Sequence, residues 1–135
     1  MSESTEVIRR AYDAWHSDGL DAFIEYWADD VRWRSIEGAP DDRGPMHGQA
    51  DLRAYLEDWV ETFDGFHVDV VKLVELNEGT VVASLRYGGH AKHSGIAVPD
   101  TPLAAVFVIR DGRIKAGGEY ETEAQAFEAA RQPPH

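Results

Sequence analysis

The stretch Leu103, Ala104, Ala105, Val106, Phe107, Val108 and Ile109 constrains this chain more than any other feature of it. Successive side chains of a strand point to opposite faces, so a run that is apolar throughout must be covered on both. Helices can cover one face. A second copy of the chain, joined through the sheet as a homodimer, is the expected cover for the other. Strands are also predicted on either side, over 80–93 and 113–122, with the central one spanning 102–110. Turn formers separate them at Asn77, Glu78 and Gly79, between Val98 and Pro102, and at Asp111 and Gly112, which suits an antiparallel meander. Ahead of the meander, Phe66, Val68 and Val70 hold one parity while Val71 and Leu73 take the other. A β-bulge does this to a long strand, so the sheet should curve.

The N-terminal half reads as helices. Ile8, Ala11, Tyr12 and Trp15 recur at helical spacing behind Ser4 or Thr5 as cap, and the helix stops at Ser17, Asp18 and Gly19. Leu20, Phe23, Ile24 and Trp27 predict a second short helix ending near Asp29 and Asp30. Residues 31–35 alternate with period two, placing Val31, Trp33 and Ser35 on one inward face. Turn formers fill 37–48, a loop of the length that often serves as a lid. Leu52, Tyr55, Leu56, Trp59, Val60 and Phe63 then predict a third amphipathic helix, closed at Asp64 and Gly65. A last short helix is expected over Glu123–Arg131, stopped by Pro133 and Pro134. The class is α+β, and with no repeat or linker visible, residues 1–135 read as one domain.

The 135 residues can bury about two-thirds of their unfolded surface in one core. Thirteen basic residues against 25 acidic ones leave a net charge of −12, which repels phosphate backbones and anionic membranes, so no nucleic-acid partner is expected. No apolar run is long enough to span a bilayer, and the start of the chain has no signal-peptide pattern. The expected address is cytoplasmic. Cysteine is absent, which removes thiolate metal sites and cysteine nucleophiles.

The order helix, helix, strand, helix, then a bulged meander resembles the nuclear transport factor 2-like superfamily. That group includes SnoaL-like polyketide cyclases and ketosteroid isomerases. The stretches carrying the likeness are Tyr12 to Phe23, Trp27 to Val31, His47 and Gly48 before Leu52, Val108 to Ile114, and Glu119 with Tyr120. The resemblance implies a cystatin-like α+β roll: a cone-shaped, curved antiparallel sheet packed against the three N-terminal-half helices around a mostly apolar cavity. It also implies where isomerase chemistry would sit. The carboxylate base, tyrosine and protonated aspartic acid of that mechanism fall at Ser35, Ala11 and Ala104, none of which carries the needed group. The resemblance therefore implies a SnoaL-like small-molecule protein without steroid-isomerase residues, and implies no cofactor.

Within that frame, Trp15, Trp33 and Trp59 converge on the cavity as an aromatic wall, joined by Ser35 and the hydroxyls of Tyr12 and Tyr87. The same rings also serve as ordinary core. His90 and His93 fall on opposite strand faces, and with no third ligand nearby no metal site is expected. His93 shares parity with Leu85 and Tyr87, which makes it a candidate acid–base group. Glu119 is the other catalytic candidate, its direction left open. Parity with Ile114 and Tyr120 turns it outward, the family likeness turns it inward, and Gly117 and Gly118 offer room for a bulge between the two. A small hydrophobic molecule is the expected partner. The reactions open to such a site are cofactor-free isomerisation, cyclisation or hydration, and the alternative is a non-catalytic binding or interaction module.

Overall fold

The computed structural model describes residues 2–39, 42–92 and 94–131. His93 lies outside these residues. Helix α1 (Glu3–Asp18) is capped by Ser2 rather than by Ser4 or Thr5: the Ser2 hydroxyl oxygen accepts from the Thr5 N–H at 3.1 Å. Its inward stripe is Val7, Ile8, Ala11 and Tyr12. Helix α2 (Leu20–Ile24) follows and ends earlier than its spacing predicts. Trp27 instead opens strand β1 (Trp27–Arg34), where it lies opposite Ile114 and is almost fully buried.

The loop after β1 leads to the two-residue strand β2 (Met46–His47) and to helix α3 (Gly48–Thr62). Four strands complete the sheet: β3 (Phe63–Asn77), β4 (Thr80–Ala91), β5 (Ala97–Arg110) and β6 (Arg113–Tyr120). Their order is β2-β1-β6-β5-β4-β3. Pairing is antiparallel except between β1 and β6, which run parallel. The sheet is curved and does not close.

Curvature comes from unpaired residues in the long strands. In β3, Val70 pairs with Leu85 and Lys72 with Ser84, so Val71 has no partner and points out, 55% exposed. Leu73 then returns to the inner face with Val68 and Val70, the parity switch expected there. A second bulge lies in β6, where Ile114 faces Ile109 and Ala116 faces Val108, leaving Lys115 as the extra residue.

Both faces of the 103–109 run are covered, but not as expected. Leu103, Ala105, Phe107 and Ile109 join the core under α1 and the sheet's concave side. Ala104 and Val106 turn outward with Val82, and helix α4 (Glu123–Arg131) of the same chain lays Ala126, Phe127 and Ala130 across them. Burial of the run therefore makes no demand for a second copy.

Candidate functional site

The concave face of the sheet and the inward faces of α1 and α3 enclose a cavity of about 290 Å³. Each wall follows from the periodicity of its element. Helix α1 contributes Tyr12 and Trp15. Helix α3 contributes Tyr55 and Trp59, four residues apart and so on one face. Strands add Trp33 from β1, Phe66 and Val68 from β3, and Leu85 and Tyr87 from β4, while β6 supplies Glu119. Ile36 and Ala39 of the loop after β1 close one side. That loop is held by Asp42, which pairs with Arg34 at 3.0 Å and accepts the backbone N–H groups of Gly38 and Gly44 at 2.9 Å. The Arg34 guanidinium, then the two N–H donors, hold the Asp42 carboxyl well below the ordinary range.

The rings form a connected lining. Trp59 stacks on Phe66 with centroids 5.6 Å apart, Phe66 lies 6.0 Å from Trp15, and Tyr87 meets Trp59 edge-on at 5.7 Å. Deeper in, Trp33 sits edge-on to Trp27 at 5.0 Å and against Phe107 at 5.2 Å.

Glu119 enters this lining because of the bulge at Lys115. The extra residue flips the parity between Ile114 and Glu119, so both face inward while Tyr120 turns out to pack near α4. The bulge thus lies two residues before the glycine pair, where the sequence offered room for it. Gly117 meets a different requirement. A Cβ there would sit 1.9 Å from the Val106 carbonyl oxygen and 2.7 Å from Trp33 Cζ3, so only glycine lets Trp33 lie across β6. Trp33 Nε1 donates to Glu119 Oε2 at 2.8 Å, and the Tyr55 hydroxyl donates to the same carboxylate at 3.0 Å. Burial, and after it the Glu119 charge, push the Tyr12 hydroxyl far up, so Tyr12 stays neutral.

Of the residues expected from the sequence, Tyr12, Trp15, Trp33, Trp59, Tyr87 and Glu119 meet in this one cavity. Ser35 is buried but lines the neighbouring groove with Gly118, Tyr120 and Gln125. Ala104, where the family likeness placed an isomerase acid, faces α4. Its cavity-side neighbours Leu103 and Ala105 carry no carboxyl either. Tyr55 enters the sequence pattern only as one residue of an amphipathic stripe. A signal for its role exists there: a hydroxyl on a face otherwise made of Leu52, Leu56 and Trp59 must find a partner inside.

On the outer side, His67 stands between Asp69 and Asp100, with one ligand-type atom from each within 4.8 Å of the others. The imidazole Nδ1 lies 3.1 Å from the Gly65 carbonyl oxygen, and Nε2 lies 3.0 Å from Asp100 Oδ1. A protonated ring donating from both nitrogens accounts for this arrangement as an ion pair.

A curved, unclosed sheet wrapped on N-terminal helices is the architecture of the nuclear transport factor 2-like fold. The chain belongs to the SnoaL-like family, whose domain model matches residues 8–117. Solved structures agree on the fold. An NTF2-like protein of unknown function from Burkholderia pseudomallei is 18% identical with a TM-score of 0.76, over 98% of this chain and 100% of that one. A candidate SnoaL-like polyketide cyclase from Jannaschia sp. CCS1 is 20% identical with a TM-score of 0.73, over 98% and 94%. RV0760c from Mycobacterium tuberculosis, in complex with estradiol-17beta-hemisuccinate, is 11% identical with a TM-score of 0.74, over 88% and 93%. No curated protein matches the chain. No helix among the described residues is long and apolar enough to cross a membrane.

Proposed function

We propose that the protein binds a small hydrophobic molecule in the cavity and that Glu119 is the acid–base group of a cofactor-free isomerase, cyclase or hydratase. One observation carries this reading: a single carboxylate among the described walls projects into an apolar lining, fixed by the Trp33 N–H and the Tyr55 hydroxyl. A group so placed meets a bound ligand in a dry, oriented setting, which is what general acid–base catalysis needs. Relatives of the same fold lend support, one being a candidate polyketide cyclase and another holding a steroid ester.

Tryptophan fluorescence is the natural readout, since Trp15, Trp33 and Trp59 all line the cavity. A panel of polycyclic ketones, terpenoids and aromatic acids should quench it saturably. Trp59→Ala should weaken binding of a responsive member roughly tenfold or more while near-ultraviolet circular dichroism stays native-like. Conversion of that member, followed by mass spectrometry and proton exchange, should fall at least a hundredfold in Glu119→Gln. Saturable binding with no conversion would favour the non-catalytic module, and binding only by phosphate esters would overturn the apolar reading.

A further inference from the structure

The His67 cluster is assembled from strands that are not neighbours. His67 and Asp69 alternate with the inward Phe66, Val68 and Val70, so both side chains leave β3 on its outer face. Asp100 comes from β5, which β4 separates from β3. The β4–β5 ladder passes from Tyr87 opposite Thr101 to Gly89 opposite Val98, so Pro99 and Asp100 share the single residue Gly88, and this bulge re-aims Asp100. Gly88 in turn faces His67 in the β3–β4 ladder, and a Cβ there would lie 2.8 Å from Asp100 Oδ1 and 3.2 Å from His67 Cε1. Carboxylate and imidazole therefore meet over a residue of β4 that has no side chain to keep them apart.

The donor set is that of a metal site. One ligand-type atom from each residue lies within 4.8 Å of the others, with His67 Nε2 3.0 Å from Asp100 Oδ1 and 3.8 Å from Asp69 Oδ2. Donors around a tetrahedral zinc ion, each bonded at about 2.0–2.1 Å, stand about 3.3 Å apart, inside that span. The imidazole is also held as a ligating histidine is held. Its Nδ1 lies 3.1 Å from the Gly65 carbonyl oxygen, which keeps a proton on Nδ1 and presents Nε2 to the carboxylates. The other oxygen of Asp69 lies 3.9 Å from His16 Nε2, so a second imidazole stands beside the cluster. Two carboxylates beside a neutral imidazole match the charge of a divalent cation, and the overall charge of −12 concentrates cations around the molecule. Without a metal the ring closes the cluster as an ion pair; with one, the ion takes the place of the proton on Nε2.

We propose that His67, Asp69 and Asp100 bind a divalent transition-metal ion, zinc foremost, through His67 Nε2 and one oxygen of each carboxylate. The mixed nitrogen and oxygen donors select this class, since imidazole suits zinc, copper and nickel whereas magnesium and calcium favour oxygen ligands alone. Three protein ligands leave a coordination position for water or for a group from another molecule. The site stands on the outer side of the sheet, apart from the cavity, and does not depend on what the cavity holds. Spacing along the chain could not show the set, because Asp100 lies 33 residues beyond His67.

Zinc chloride titrated into the full chain in a calorimeter should bind saturably at one ion per chain, and magnesium chloride at the same concentration should not displace it. His67→Ala and Asp100→Asn should each weaken zinc binding at least tenfold, with circular dichroism matching the wild-type chain. Proton NMR of the wild-type chain gives a reading that needs no variant. The His67 ring signals should move in step with the calorimetric isotherm while those of His47 and His90 stay in place. Absence of saturable zinc binding to the wild-type chain would overturn the proposal. Zinc binding undiminished in folded His67→Ala and Asp100→Asn would overturn it too, as would a wild-type spectrum in which other histidines respond and His67 does not, since the ion would then sit elsewhere. Displacement of zinc by equal magnesium would overturn the assignment to the transition-metal class.

Discussion

Among single residues, His67 shows how the outer face uses charge. Its ring contacts Gly65 through one nitrogen and Asp100 through the other, with Asp69 Oδ2 3.8 Å away and His16 in turn 3.9 Å from Asp69. Strand β4 allows the meeting, for a Cβ on Gly88 would lie 2.8 Å from Asp100 Oδ1 and 3.2 Å from His67 Cε1. The Gly65 carbonyl, then Asp100, raise the His67 pKa above its ordinary value. A raised folded-state pKa means the pair stabilises the fold fully below the unfolded value of about 6.5. That stabilisation is lost as pH rises through the folded value. The contribution is small, because His67 is only half-buried, Asp100 is exposed, and solvent screens their pairing. Proton NMR should show His67 titrating higher than in Asp100→Asn. The stability difference between the two proteins should be larger at pH 5.5 than at pH 8.5. Identical His67 titration in both would show that Asp100 does not hold the proton.

At the level of elements, the bulges decide which residues reach the cavity, and they were unequally legible. The one at Val71 shows in the sequence because apolar residues mark the inner face on both sides of it. The one at Lys115 does not, because Ile114 and Tyr120 are both apolar and suggest one continuous face. They bury on opposite faces, Tyr120 beside α4, and Lys115, the extra residue, pairs with Asp30 at the surface. Periodicity assumes one wet face, and past Lys115 the residues of β6 are buried or half-buried on both faces. Trp27 misled for a related reason: a buried aromatic at helical spacing from Phe23 and Ile24 fits a helix until the strand pairing with Ile114 is known. The aromatic members of the cavity were legible because their elements are strongly amphipathic, whereas the Glu119 contact with Tyr55 spans 64 residues and no local pattern encodes it. Gly117 tests this picture of β6. Gly117→Ala should cost about 2–4 kcal/mol in urea unfolding, since the backbone of Val106 cannot yield to a Cβ. It should also change the Trp33 fluorescence environment. A loss below about 0.5 kcal/mol, the size of an ordinary surface substitution, would mean that β6 does not run this close to Val106.

For the molecule as a whole, the decisive layer is the one the sequence assigned to a partner. An all-apolar strand needs two covers, and the chain supplies both: the helices and core on the concave side, and α4 on the convex side. The second cover is thin. Ala126 and Ala130 are its buried contacts, small residues that let the helix approach Val82, Ala104 and Val106 closely, with Phe127 and Tyr120 at the margin. Ala126 is fully buried, so a charged side chain there would have to be desolvated without a partner or lift the helix off the sheet. Lifting α4 costs less than unfolding the β-meander, because nine residues are released and the sheet hydrogen bonds stay intact. The exposed Val82, Ala104 and Val106 would then form an apolar patch on the sheet, the kind of surface that drives association. Ala126→Asp should therefore keep the far-ultraviolet strand signal, bind a hydrophobic dye, and give a larger mass than the wild-type chain by light scattering at micromolar concentration. If the variant keeps the wild-type mass and binds no dye, α4 is not what covers the outer face, and the demand for a second copy returns.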